Sequence, residues 1–126
     1  MTTRAHRYDA VVTRREQLSP HLVRLTLSAP GFESTGILDE WVGLVVPGQF
    51  QSRYYTVRSL DGDQLVVDVV IHDVGLVTEW AEGDCVGDRL VLTAPQGSFA
   101  PPPGAAWLLL VGDLTAMPAM ARITAT

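Results

Sequence analysis

Turn signals come so often in this chain that no long helix fits before residue 94. Ser19-Pro20, Pro30-Gly31, Pro47-Gly48, Asp61-Gly62-Asp63 and Ala94-Pro95-Gln96-Gly97 punctuate it at short intervals, and Pro and Gly are the strongest local breakers of regular structure. Between these points apolar and polar residues alternate. In His21 to Leu27 the apolar positions 23, 25 and 27 fall on one side, the period of a half-buried strand. Strands are expected at Tyr8 to Arg14, His21 to Leu27, Trp41 to Val46, Tyr54 to Leu60, Leu65 to Ile71 and Asp88 to Thr93. One segment has a different period: Leu76 and Trp80 lie four apart within residues 76–82, the spacing of neighbours on one helix face, and Gly83 can stop that helix. Six short strands, frequent turns and one short helix predict a mainly β chain, a small antiparallel barrel.

The pattern breaks at Pro101-Pro102-Pro103-Gly104. A triple proline favours extended polyproline geometry and makes a stiff connector, so a first domain is placed at 1–103 and a second segment at 104–126. Ala106 to Val111 is a continuous apolar run of the kind found in a strand covered on both faces. A loop at Gly112 to Thr115 follows, and Pro118 to Thr126 reads as a helix. Strand, loop and helix open a βαβ unit. The chain is therefore expected to end in the first strand and helix of a truncated α/β domain, whose exposed 106–111 strand offers a homodimer surface.

Charge and cysteine usage narrow the function. The net charge is −5, and all nine basic residues are Arg, without a basic cluster. Duplex binding needs such a cluster to displace counterions, so no nucleic-acid partner is expected. Cys85 is the single cysteine, which rules out an intrachain disulfide and fits a reducing compartment. Its neighbours Asp84 and Asp88 raise a thiol pKa rather than activate it. The N-terminus lacks an apolar signal segment, and the longest apolar run, Ala105 to Val111, is too short to span a bilayer. A soluble, cytoplasmic protein is expected. His6, His21 and His72 are far apart in sequence, and with one Cys they build no zinc cluster, so no metal site is expected. No Gly-x-Gly-x-x-Gly or Gly-x-Ser-x-Gly segment is present.

Five segments carry a resemblance. Arg53-Tyr54-Tyr55-Thr56-Val57-Arg58 fits an Arg-x-Tyr-Thr-x-Arg pattern. Residues 68–81 run strand, His72, Gly75, helix, Trp80-Ala81. Asp39-Glu40-Trp41-Val42-Gly43-Leu44, the turn Ala94-Pro95-Gln96-Gly97-Ser98-Phe99, and Gly112-Asp113-Leu114-Thr115-Ala116-Met117-Pro118-Ala119 complete the set. In this order they resemble the FAD-binding domain of the siderophore-interacting proteins, a branch of the ferredoxin-reductase-like flavoenzymes. The departures are Gly43 for a usual Lys, Leu76-Val77 for Pro-Ala, Ala94 for Gly and Leu114 for Glu.

The resemblance implies a six-stranded Greek-key barrel binding FAD, followed by the start of a nicotinamide-binding domain. It implies a reductase in which hydride passes from NAD(P)H to FAD and electrons then reach a ferric siderophore, releasing Fe(II). By the same resemblance Arg53 pairs with the FAD pyrophosphate, where a guanidinium fork suits two oxygens, and Tyr55 stacks on the isoalloxazine ring. Thr56, the candidate for influencing hydride transfer, bonds near flavin N5, with Val57 beside it. Arg58 adds a second positive charge. His72 contacts the flavin or ribityl chain. Gly75 and the amides of Leu76, Val77 and Thr78 face the pyrophosphate at a helix N-terminus, and Thr115 completes the set. NAD(P)H is expected only with the complete second domain, so residues 1–126 alone are expected to be weakly active or inactive. Two alternatives stay open: a cofactor-free barrel serving as a binding module, and a general flavin or electron-transfer reductase of the same superfamily.

Overall fold

In a computed structural model, which describes residues 7–72 and 75–126, the alternating segments become seven strands: β1 (Arg7–Ser19), β2 (Leu22–Ser28), β3 (Trp41–Val45), β4 (Arg53–Thr56), β5 (Ser59–Asp61), β6 (Gln64–Val70) and β7 (Arg89–Thr93). Helix α1 spans Leu76–Glu82, and a 3-10 turn at Leu114–Ala116 leads into helix α2, Met117–Thr124. His6 and, within the segment 68–81, residues 73–74 lie outside the described residues.

The sheet order is β4-β3-β7-β1-β2-β6-β5, with every neighbouring pair antiparallel. Its two end strands are consecutive in the chain and separated only by Val57 and Arg58. Val57 N donates to Glu40 O at 2.9 Å, and Arg58 N donates to Val66 O at 2.8 Å. The single strand expected at residues 54–60 therefore bends at this step and serves both ends of the sheet, closing a barrel of six staves. The order jumps from β2 across to β3 and from β6 to β7, as in a Greek key.

Side-chain alternation fixes the register. Val23, Leu25 and Leu27 of β2 and Leu65, Val67 and Val69 of β6 have no exposed surface, and they pair as Val23 with Val69, Leu25 with Val67 and Leu27 with Leu65. A slip of one residue would turn all six to the outside. Tyr8, Ala10 and Val12 of β1, Val42 and Leu44 of β3, and Leu90 and Leu92 of β7 fill the rest of the interior. Tyr8 also meets Phe32, ring centroids 5.1 Å apart at 57°, an inclined packing that aromatic quadrupoles favour.

β1 runs five residues past its expected end, to Ser19, with register irregularities at Val12/Arg14 and Gln17/Ser19. The extension brings Arg15 to the end of α1, where its Nε donates to Ala81 O at 2.7 Å and its Nη2 to Glu82 O at 3.3 Å. Within the same helix, Trp80 Nε1 donates to Asp88 Oδ2 at 2.8 Å. Helix α1 is thus tied to the barrel from two directions in the chain, by Arg15 of β1 and by Asp88 just before β7. Cys85 is fully buried, and burial, more than Asp88 and Asp84, pushes its thiol up against the opposing pull of Arg15.

The expected strand at Ala106 to Val111 does not form. A strand exists through hydrogen bonds to a neighbour, and no described strand lies alongside these residues. Trp107, Leu109 and Val111 are 77, 75 and 84 % exposed. Among the described residues no helix is long and apolar enough to cross a membrane.

Candidate functional site

One cleft gathers most of the residues singled out in the sequence. It encloses about 320 Å³ and is lined by Arg53, Tyr54, Tyr55 and Thr56 from β4, by Asp68 and Val70 from β6, by His72, by Gly75, Leu76, Val77 and Thr78 at the start of α1, and by Thr115 and Pro118. Ligand pockets typically measure about 300–1,000 Å³. A second hollow, of about 550 Å³, lies away from it between residues 9–11, 45–49 and 89–91 and contains none of the residues expected to bind.

β4 supplies one wall. Arg53 is exposed; its Nη1 donates to Ser52 O at 3.2 Å and to Gln51 Oε1 at 3.4 Å. Among the described residues it meets no carboxylate within ion-pair distance. A cation without an anion at the mouth of a cleft fits an anionic ligand. Tyr55 packs against the core, and burial pushes its phenol up despite the opposing effect of the Arg53 charge. It is therefore a neutral, half-buried aromatic beside a guanidinium that no described carboxylate neutralises.

Helix α1 supplies the second wall. Its cap, Gly75, gives no side-chain bond to the first turn, and the first helical bond is Glu79 N to Gly75 O at 2.9 Å. The amides of Leu76, Val77 and Thr78 precede that bond, as the first N–H groups of any helix do. A Cβ on Gly75 would stand 3.3 Å from Thr78 Oγ1, so the glycine leaves room beside that hydroxyl. Asp113 positions the third wall: its Oδ1 accepts from Thr115 N at 3.0 Å and from Thr115 Oγ1 at 2.5 Å. These hydrogen bonds hold the Asp113 carboxyl below its ordinary range.

Two expected residues stay out of the cleft. Val57 has no exposed surface and belongs to the core. Arg58 turns to Asp68, its Nε 3.5 Å from Oδ2, while Arg24 holds the same carboxylate through Nε at 2.8 Å and Nη2 at 3.1 Å. Tyr54, Asp68, Val70 and Pro118 line the cleft without having been singled out. Asp68 carries a readable signal, a lone carboxylate within the apolar run 65–71. Gly43 is enclosed: a Cβ there would stand 2.8 Å from Ser52 Cβ and 2.9 Å from Thr93 Oγ1, and Thr93 Oγ1 already accepts the Gly43 N–H at 2.7 Å.

Arg53, Tyr55, Thr56 and the first turn of α1 offer a guanidinium, an aromatic face, a hydroxyl and backbone amides to one cleft, groups suited to a ligand that joins an aromatic ring to an anionic linker. Residues 48–99 match the siderophore-interacting FAD-binding domain family. An uncharacterized protein of Mycobacterium tuberculosis is 32% identical over 146 residues, covering 92% of this chain and 51% of that protein. The NADPH-dependent ferric-chelate reductase of Escherichia coli is 39% identical over 59 residues, covering 47% of this chain and 23% of that enzyme. The siderophore-interacting protein of Acinetobacter baumannii superposes with a TM-score of 0.78 at 25% identity, covering 96% of this chain and 52% of that one. The chain spans about half the length of the first of these relatives. Barrel, cleft and matched segment together identify residues 48–99 as the part of the chain that carries the siderophore-interacting FAD-binding domain.

Proposed function

We propose that the protein is the flavin-holding part of an NAD(P)H-dependent reductase that delivers electrons to ferric siderophores. The observation that carries this reading is the convergence of Arg53, Tyr55 and Thr56 with the first turn of α1 on one cleft; the likeness to a ferric-chelate reductase supports it. When bound, FAD supplies the redox chemistry, taking a hydride from NAD(P)H and giving the electrons up singly to ferric iron. Arg53 and the amides of Leu76, Val77 and Thr78 would bind the pyrophosphate, Gly75 allowing its close approach. Tyr55 would cover the ring and exclude water from it, and the Thr56 hydroxyl would bond at its edge, where hydride arrives. His72 and Thr115 would border the ring and ribityl chain. Val57 would act from the core and Arg58 through Asp68 rather than by touching the ligand.

In this reading residues 104–126 open a nicotinamide-binding domain, which fits the greater length of the relatives, and NAD(P)H binds only with the rest of that domain. The setting is the cytoplasm. Two copies associate through the exposed apolar run 106–111; sedimentation at high concentration tests this, a monomer refuting it. The enclosure of Gly43 favours a second reading, a general electron-transfer reductase, because no cationic side chain fits at that position to greet an anionic chelate. Comparing ferric chelates with free flavin as acceptors separates the two.

The direct test is titration of FAD into cofactor-free protein, followed by flavin fluorescence, alongside Arg53→Ala and Tyr55→Ala. Saturable quenching that both substitutions weaken about tenfold or more is expected, the loss typical of one charged contact or one buried aromatic. No quenching by the wild-type protein would refute the flavin reading.

A further inference from the structure

One buried ion pair fastens helix α2 to the barrel. Glu40 has no exposed surface. Its carboxylate accepts from Ser34 Oγ at 2.5 Å, from Thr35 N and Thr35 Oγ1 each at 2.9 Å, and from Arg122 Nη1 at 2.8 Å. The same Nη1 also donates to Val57 O at 3.3 Å, while Glu40 O accepts the Val57 N–H at 2.9 Å. The pair therefore grips both polar groups of one peptide residue, the N–H through the Glu40 backbone and the carbonyl through the Arg122 guanidinium.

Val57 lies at the point where the barrel closes. Its predecessor, Thr56, lines the cleft; its successor, Arg58, reaches the cleft through Asp68. On the other side, Arg122 belongs to the helix that carries Pro118 and follows Thr115, both cleft residues. A buried ion pair adds little net stability over well-packed apolar side chains of similar volume, because desolvation offsets the attraction. What a bonded guanidinium does contribute is direction, since its planar fork fixes where its partners sit.

We propose that Glu40 and Arg122 are positioning residues of the flavin cleft, holding the wall formed by Thr115 and Pro118 at a set distance from Thr56 by clamping the Val57 peptide between them. The ligand rests on the flavin reading above; the coupling of the two walls does not.

The test is the double variant Glu40→Gln/Arg122→Met, which leaves no buried charge unpaired. It is compared with the wild type by FAD titration, flavin absorption spectrum, denaturant midpoint and amide hydrogen exchange without flavin. The expected result is a near-unchanged midpoint, FAD affinity lower by about tenfold, as for one coupled contact, and a shifted flavin spectrum. Exchange protection should fall at Val57 and across 117–124 while Leu25 and Val67 keep theirs. Wild-type affinity and spectrum in the double variant, or an affinity loss that only tracks global unfolding, overturns the proposal. Where the double variant fails to fold, Glu40→Gln alone, which still accepts from Ser34 and Thr35, is read in the same way. If the wild type takes up no FAD, the flavin reading fails and the clamp is judged by exchange: selective loss at Val57 and 117–124 upholds it, unchanged protection sinks it.

Discussion

Arg15 Nε lies 2.7 Å from Ala81 O, so a cation on a strand terminates a helix 66 positions later in the chain. Helix α1 has no basic residue in its own last turn, and Arg15 meets the partial negative charge that gathers there. Arg15→Met should cost about 1–2 kcal/mol, the range of a hydrogen bond to a charged group plus the helix-end interaction. The check is a urea titration, in which the midpoint falls while the slope stays constant. Because the opposite end of α1 borders the cleft, FAD affinity should fall as well.

Gly97 approaches Ile37 so closely that an added Cβ would stand 2.7 Å from both Ile37 Cβ and Cγ2. The neighbouring amides of Ser98 and Phe99 donate to Asp39 Oδ1 at 2.9 Å each, which pins the turn in place. Gly97→Ala should therefore cost about 1–3 kcal/mol through overpacking. Adding Ile37→Ala should recover part of that loss, and thermal melts of the two single variants and the double variant measure the coupling.

Acid should weaken the fold through Glu40. Burial pushes its carboxyl up, but hydrogen bonds from Ser34, Thr35 and Arg122 outweigh this and hold it below the ordinary value. A carboxyl with a lowered folded-state pKa stabilises fully above its unfolded value, and that contribution is lost as pH falls through the folded value. Stability should thus hold near neutrality and decline below the usual carboxylate range. In Glu40→Gln the decline should be shallower, as read from denaturant midpoints across an acid series.

Asp68→Asn should leave Arg24 and Arg58 facing a neutral amide. Both cations lie within 3.5 Å of the carboxylate, which is mostly buried. A loss of about 1–3 kcal/mol is expected for the lost charged hydrogen bonds. Part of it should be recovered at 1 M salt, where screening shortens to about 3 Å and the two guanidinium groups repel less. A deficit independent of salt would show that like-charge repulsion plays no part.

The core was legible because burial on one face imposes a period of two: Val23, Leu25 and Leu27 mark their own inward side. The bend between Thr56 and Ser59 was not, because it is set by Glu40 O and Val66 O, partners that nothing in the local pattern designates. The run Ala106 to Val111 has strand composition but no paired neighbour, and pairing rather than composition makes a strand. In the cleft, Arg53, Tyr55 and Thr56 were found as a motif. The buried roles of Glu40 and Asp68 are not legible in the sequence, since they depend on which distant cations reach them. The resemblance assigns Val57 and Arg58 to the ligand site; in the fold Val57 is buried in the core and Arg58 faces Asp68.

One bent strand supplies both ends of the sheet, and two adjacent amides make the join. A proline at Val57 would remove the donor to Glu40 O, and one at Arg58 the donor to Val66 O of β6. Each acceptor would then be unsatisfied, and unpaired backbone groups at a sheet edge are the template on which other chains add. The same two residues that complete the fold thus also cover backbone acceptors that an opened edge would leave unpaired.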